Sequence, residues 1–211
     1  GIKDILIIVA PEHAGHFMNL LGSGKDFDAR FSYEVQDEPR GLADAFLVGE
    51  NFIGNDSVSL VLGDNIFDHD FSKDIRDFKK GALNFVKEVD DPERYGVVEF
   101  DKGMKAISIE EKPKNPKSNY ASVGFYAYDN RVVEMAKNLK PSARGEIEIN
   151  GNPSINNTYL AMDDLRVGII EGVWEDAGTF DSLLRASNIM AEKAASTRHS
   201  RHSTLRPEPH R

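Results

Sequence analysis

Four polar clusters hold the residue types that could do chemistry, and each stands where an apolar, β-rich run gives out. They are Gln36 with Gly41, Asp64, Glu110-Glu111-Lys112-Pro113, and Trp174-Glu175-Asp176. The sharpest boundary is Ser57-Val58-Ser59-Leu60-Val61-Leu62 running into Gly63-Asp64-Asn65. A short apolar run bounded by turn signals predicts a strand buried on both faces of a parallel sheet. In open α/β sheets ligands sit beyond the carboxyl ends of the strands, which is where Asp64 would emerge. A carboxylate there needs a positive partner, and a divalent cation on a phosphate supplies one. The plainer alternative is an Asp that caps the next turn. Taken singly, a Glu-Lys pair at a strand end reads as a solvated turn, and a Trp beside an acid as core packing. Together the clusters describe a pocket with two acids for a metal, a lysine for a phosphate and an acid for sugar hydroxyls.

Asp4 to Val9 predicts a buried strand, Ala14 to Leu21 a helix stopped by Gly22-Ser23-Gly24, and Phe31 to Val35 a second strand. Leu42, Ala45, Phe46, Val48 and Phe52 mark an amphipathic helix ending at Gly54. With the Val58 strand this is strand–helix–strand–helix–strand, the alternation that produces βαβ crossovers. Phe71 to Phe78 reads as a helix and Leu83 to Val89 as a strand. Gly96 to Phe100, Lys105 to Glu111 and Tyr120 to Tyr128 are strands without intervening helices, which predicts an antiparallel region. Arg131 to Leu139 and Ile147 to Met162 read as helical, the second broken at Gly151-Asn152-Pro153. Leu165 to Ile170 is a strand, and Thr179 caps a long final helix. The fold class expected is α/β: a Rossmann-like, mostly parallel or mixed sheet flanked by helices, with a small antiparallel region.

Composition bounds the function. The 211 residues are 40% hydrophobic, enough for one domain with a sizeable core. No apolar run reaches membrane-spanning length, and cysteine is absent, which excludes disulfides and thiolate metal sites. A cytoplasmic location is expected. The net charge of −9 argues against a nucleic-acid-binding body. From Ser196 onward four arginines face one glutamate, so that tail is +3 and the rest of the chain −12. The expected division is a domain over residues 1–195 and an unstructured basic tail over 196–211.

Gln36 to Gly41-Leu42-Ala43 and Leu62-Gly63-Asp64-Asn65-Ile66-Phe67 open a series of motifs in unbroken order. Asp91-Pro92-Glu93-Arg94-Tyr95-Gly96-Val97-Val98 and Glu110-Glu111-Lys112-Pro113 continue it. It ends with Pro141-Ser142-Ala143-Arg144-Gly145-Glu146-Ile147-Glu148-Ile149 and Trp174-Glu175-Asp176-Ala177-Gly178-Thr179. This series resembles the sugar-1-phosphate nucleotidylyltransferase family, and within it the glucose-1-phosphate thymidylyltransferases. The resemblance implies that Gln36 and Gly41 hydrogen-bond a pyrimidine base, and that Asp64 and Asp176 ligate Mg²⁺. It implies that Glu111 accepts from sugar hydroxyls, with Tyr95 and the Gly96 backbone against the sugar. Lys112 and Arg144 would hold the sugar phosphate, and Val123 and Gly124 would form the wall near the sugar. The implied reaction is attack by a sugar-1-phosphate oxygen on the α-phosphorus of dTTP or another nucleoside triphosphate, releasing pyrophosphate. Further copies of the chain are the expected protein partner.

The family pattern begins with a strand and a G-x-G-x-R loop that cradles the triphosphate, and these 211 residues contain no match to that first βα unit. Residues 1–211 by themselves are therefore expected to turn over little substrate. After Ile149 the family's usual Thr-Asp is replaced by Asn150-Gly151. The alternative reading is a non-catalytic sugar-nucleotide-binding or assembly subunit.

Overall fold

The computed structural model describes the backbone of residues 1–203 and the side chains through residue 194. The chain divides into two compact units, Gly1–Val61 with Asp70–Ile170, and Leu62–His69 with the chain from Glu171.

The first unit opens with β1 (Asp4–Val9), α1 (Ala14–Leu21) and β2 (Arg30–Val35), a βαβ unit whose strands pair in parallel from Asp4↔Arg30 to Val9↔Val35. α1 stops at Gly22, whose N–H donates to Met18 O at 3.0 Å. The amphipathic stretch that follows is not one helix. A 3₁₀ turn at Leu42–Asp44 leads into α2 (Ala45–Val48) and, after Gly49, α3 (Glu50–Ile53). Of the apolar positions expected to form one face, Phe46 is buried, Ala45 and Val48 are half-buried, and Leu42 and Phe52 stay exposed, while Ile53 is buried beside them in α3.

A six-stranded mixed sheet carries the rest of the core. It comprises β3 (Val58–Val61), β5 (Ala82–Glu88), β6 (Gly96–Phe100), β7 (Ala106–Glu111), β8 (Tyr120–Tyr128) and β9 (Leu165–Ile169). The order is β7-β6-β8-β5-β9, with β3 on β8; β5 and β9 are parallel and the other pairs antiparallel. Central β8 is buried from Ala121 to Tyr128, as its apolar run predicts for a strand covered on both faces. Three helices complete the unit: α4 (Ser72–Asp77), α5 (Arg131–Asn138) and α6 (Ile155–Ala161). Phe46 meets Tyr128 edge-on at 5.3 Å and Tyr159 stacks on Tyr128 at 5.7 Å. Burying each such ring contributes about 1.5–3 kcal/mol.

Two expectations are corrected here. The Val58 strand is not buried on both faces of a parallel sheet. β3 runs antiparallel to β8, is half-buried, and leaves Val61 50% exposed. The stretch from Ile147 to Gly151 is not helical, because its backbone is spent on other segments. Ile147 N–H donates to Arg40 O at 2.7 Å, Ile147 O accepts from Ala43 N–H at 3.1 Å, and only α6 winds as a helix. Ser154 caps α6, its Oγ accepting from Asn157 N–H at 3.1 Å.

Among the described residues β1 has no strand partner beyond β2, and β3 none beyond β8. Between them lies a cleft of about 720 Å³ walled by Ile5, Leu6, Ile8, Ile53, Leu60 and Ile75.

The second unit is built on β4 (Asn65–Phe67) and β10 (Trp174–Asp176), antiparallel with Trp174↔Phe67 and Asp176↔Asn65. α7 (Phe180–Ser203) follows. Thr179 caps it reciprocally with Ser182: Ser182 N–H donates to Thr179 Oγ1 at 3.2 Å and Thr179 N–H to Ser182 Oγ at 3.1 Å. α7 therefore enters the stretch assigned from sequence to an unstructured tail, and residues 204–211 lie outside the described residues. No described helix is long and apolar enough to cross a membrane.

Candidate active site

In the first unit the chemistry gathers around Gly96. Gly96, first residue of β6, pairs with Glu111, last residue of β7. A methyl built on Gly96 would stand 2.7 Å from Asn150 Nδ2 and 3.0 Å from Glu111 Oε2, so only glycine lets the carboxylate and the carboxamide come this close. Lys112, the next residue after Glu111, is exposed and takes a left-handed φ of 44°. Its N–H donates to Tyr95 O at 2.9 Å, which ends the β6–β7 ladder at this point. Tyr95 is half-buried beneath the Arg94 guanidinium, 5.4 Å from its centroid.

Burial pushes the Glu111 carboxyl above its ordinary value. The Lys112 and Arg144 cations pull it back, Glu148 adds to the rise, and a hydrogen bond from Asn150 opposes it. An acid that is costly to ionise, held between two cations, is suited to accept strong hydrogen bonds from neutral hydroxyls.

Arg144 lies in a tight turn closed by Gly145 N–H to Ser142 O at 2.9 Å. Its guanidinium is not idle. Nη2 donates to both oxygens of Glu148, at 2.9 and 3.0 Å, and Ser142 Oγ donates to the same carboxylate at 2.7 Å. The Glu148 hydrogen bond raises the Arg144 pKa further.

Gln36 follows β2 and extends its ladder, N–H to Val9 O at 2.9 Å. Its carboxamide Nε2 donates to Asp44 Oδ2 at 2.8 Å, and Arg40 Nη2 donates to Asp44 Oδ1 at 2.9 Å. Asp44 is fully buried, and these donors offset its desolvation. Gly41 has φ 104°, and a Cβ there would lie 2.5 Å from Ile147 O. The Gln36–Gly41 loop is thus clamped to the irregular segment that leads out of the Arg144 turn. Val123 has no exposed surface and packs in the core, and Gly124 is buried beside it in β8. Neither presents a side chain as a wall.

In the second unit the β4–β10 pair brings Asp64 and Asp176 together. Ala177 N–H donates to Asp64 O at 2.7 Å, continuing the ladder past Asp176. A methyl on Gly178 would lie 3.1 Å from Asp176 Oδ1 and 3.4 Å from Asp64 Oδ2, so both carboxylates border one small space that bare glycine leaves open. Asp64 Oδ1 accepts from Asn65 Nδ2 at 2.8 Å, and Asn65 Oδ1 accepts from Trp174 Nε1 at 2.7 Å. Two exposed carboxylates sharing one space fit Mg²⁺, which takes one or two carboxylates and completes its shell with water and phosphate oxygens. Among the described residues no group of three or more metal-ligating side chains occurs.

Sequence reasoning found the clusters but missed the groups that hold them. In the sequence Glu148 stands only as part of a motif, and Asn150 only as a departure from the family pattern. Ser122 and Asn156 carry no local signal, whereas Asn84, between Leu83 and Phe85 in an apolar strand, is the kind of buried polar residue that carries information.

Carboxylates paired at β4 and β10 in one unit, and Glu111, Lys112 and Arg144 with the bare Gly96 in the other, are residue types suited to metal, sugar and phosphate chemistry. The chain belongs to the nucleotidyl transferase family, whose profile matches residues 1–193. It is 50% identical over 196 residues to a glucose-1-phosphate thymidylyltransferase of Neisseria meningitidis, covering 90% of this chain and 67% of that protein. The figures are the same, over 195 residues, for one from Mycolicibacterium smegmatis. A crystal structure titled as a putative glucose-1-phosphate thymidylyltransferase from Bacillus anthracis, in complex with a sucrose, superposes with a TM-score of 0.82 at 47% identity, covering 89% of this chain and 76% of that one. A UDP-glucose pyrophosphorylase complexed with UDP-glucose shares the fold, with TM-score 0.70 at 22% identity.

Proposed function

We propose that this chain belongs to an enzyme that transfers a thymidylyl group from dTTP to glucose 1-phosphate in the cytoplasm, for activated-sugar synthesis. A phosphate oxygen of the sugar 1-phosphate attacks the α-phosphorus as the α–β bridging bond breaks, and pyrophosphate leaves with that electron pair. No proton need be moved, so positioning and charge carry the catalysis. Asp64 and Asp176 would hold Mg²⁺, which when bound screens the phosphate charges. Lys112 attracts the sugar phosphate as a point charge. Arg144 offers its planar fork once it exchanges Glu148 for phosphate. Glu111 accepts from sugar hydroxyls across the bare Gly96, with Tyr95 alongside. Gln36 and Gly41 meet the base, and Val123 and Gly124 back the sugar side from within β8.

The observation that carries this reading is 50% identity to a thymidylyltransferase over 90% of the chain. The test is pyrophosphate release from the complete protein with dTTP and glucose 1-phosphate, expected at an ordinary enzyme's rate, on the order of 10 s⁻¹. Tight binding of dTDP-glucose with no pyrophosphate release would replace it with the binding-subunit reading.

A further inference from the structure

Behind Glu111 a line of buried polar side chains crosses the first unit. Asn150 Nδ2 donates to Ser122 Oγ at 3.3 Å and stands beside Glu111 Oε2 at Gly96, where a Cβ would lie 2.7 Å from that nitrogen and 3.0 Å from that oxygen; its hydrogen bonding to the carboxylate opposes the rise in the Glu111 pKa. Asn150 Oδ1 accepts from Asn156 Nδ2 at 2.8 Å, and Asn156 Oδ1 accepts from Tyr128 OH at 2.8 Å. Ser122 Oγ in turn donates to Asn84 Oδ1 at 2.8 Å. All five are buried, three of them with no exposed surface.

The acid fixes the direction of the bonds that run through Asn150 and Asn156. A carboxylate only accepts, so Asn150 must turn its amide nitrogen, not its oxygen, toward Glu111. Its oxygen then faces Asn156, which has to donate, leaving the Asn156 oxygen for the Tyr128 hydroxyl. Ser122, accepting from Asn150, directs its own proton to Asn84. Reversing Asn150 would set its oxygen against the Glu111 carboxylate, and reversing Asn156 would set its oxygen against Asn150 Oδ1; Asn84, whose Nδ2 is buried without a hydrogen-bond partner among the described residues, lies outside this constraint. A carboxamide so tied at both ends cannot rotate to follow Glu111, and Glu111 must instead conform to it.

We propose that Asn150 is a positioning residue for Glu111, its carboxamide held by Asn156 and Ser122 so that one carboxylate oxygen is fixed and the other is aimed at the sugar hydroxyls. The proposal rests on the reading of Glu111 as the sugar-hydroxyl acceptor and deepens it. Asn150 touches no substrate and acts only through Glu111.

The test uses the complete protein, steady-state kinetics in each substrate, and the pH dependence of kcat/KM for glucose 1-phosphate. Asn150→Ala should raise the KM for glucose 1-phosphate by about tenfold or more, the scale of one hydrogen bond to a charged group. The KM for dTTP should be unchanged. The acid limb should move to higher pH, since Lys112, Arg144, Glu148 and Tyr126, the other ionisable groups around Glu111, remain in place. In a Glu111→Gln background the same substitution should add nothing. Ser122→Ala, which keeps Asn150 but loosens it, should show a smaller change in the same direction, and it covers the case in which Asn150→Ala does not fold. Unchanged KM and acid limb in the folded variants, or an equal loss in the Glu111→Gln background, would overturn the positioning role. If Glu111→Gln itself leaves the glucose 1-phosphate KM unaltered while pyrophosphate release persists, the reading of Glu111 fails and the proposal falls with it.

Discussion

Asp64 and Asp176, 112 positions apart in the chain, present one oxygen each to the same point beside Gly178, at 3.4 and 3.1 Å from where its Cβ would be. The antiparallel β4–β10 pair alone achieves this. Gly178→Ala should therefore weaken Mn²⁺ binding, read by electron paramagnetic resonance, while leaving the melting temperature near the parent's. Asp176→Asn should lower kcat by about 10²–10³, as loss of one charge-stabilising group does. Undiminished Mn²⁺ affinity in both variants would remove the pair from the metal site.

The lock between Arg144 and Glu148 gives a second expectation. Lys112→Ala should weaken glucose 1-phosphate binding by about 1.5–3 kcal/mol, the range for hydrogen bonds to charged groups. Arg144→Lys should also weaken it, because a single ammonium cannot replace the fork. Glu148→Gln, which releases the fork from a competing charge, should tighten it. Titration calorimetry decides the order, and equal affinity of Lys112→Ala and parent would discard Lys112 as the phosphate contact.

Two carboxylates set opposite pH trends. Asp129 is drawn up by burial, but the Arg131 guanidinium, Gly81 N–H and Tyr159 hydroxyl outweigh that and hold it below its ordinary 3.8. Its contribution to stability is thus present above pH 3.8 and lost as pH falls through the lower folded value. Asp129→Asn should cost about 1–3 kcal/mol at pH 7, the penalty for unsatisfied buried partners. Glu111, raised by burial, behaves the other way: its contribution is present below the ordinary 4.5 and lost as pH rises through the raised value. Glu111→Gln should raise the melting temperature at pH 7, with the gain vanishing below pH 4.5. Thermal unfolding across pH 3–8 checks both.

Gly41 combines a left-handed φ with a Cβ position 2.5 Å from Ile147 O. Gly41→Ala should destabilise the fold by about 1–3 kcal/mol, the usual cost of enforced backbone strain. Chemical denaturation giving an unchanged midpoint would mean the Ile147 segment can yield.

The open edge of β1 gives a last expectation. Ile5 is 38% exposed, and the alternation of the β2 ladder turns the Leu6 and Ile8 backbone groups toward the cleft. An unpaired apolar edge favours edge-to-edge pairing. Residues 1–211 should self-associate with rising concentration in sedimentation velocity, and Ile5→Lys should suppress it. A monomer at all concentrations would contradict the expectation.

The sequence by itself determined what local chemistry can encode. Alternating and continuous apolar runs specified β1, β2, β5 to β9 and α5, the glycine pair stopped α1 at Leu21, and Thr179 announced α7. The ordered motifs also identified the family. Tertiary structure decided which segments meet. A strand's period says that it will pair but not with what, so β3 went to β8 in antiparallel. Helical spacing from Leu42 to Phe52 survived only in part: the backbone broke at Gly49, Phe46 is buried, and Leu42 and Phe52 stay exposed. The pattern after Ile147 lost its helix because Arg40 and Ala43, a hundred residues earlier, took its hydrogen bonds. Arg144 meets Glu148 only four residues along the chain. Asn150 on Glu111, by contrast, is a contact of the same kind as those at Ile147, made where distant segments approach at Gly96, and no local pattern records it.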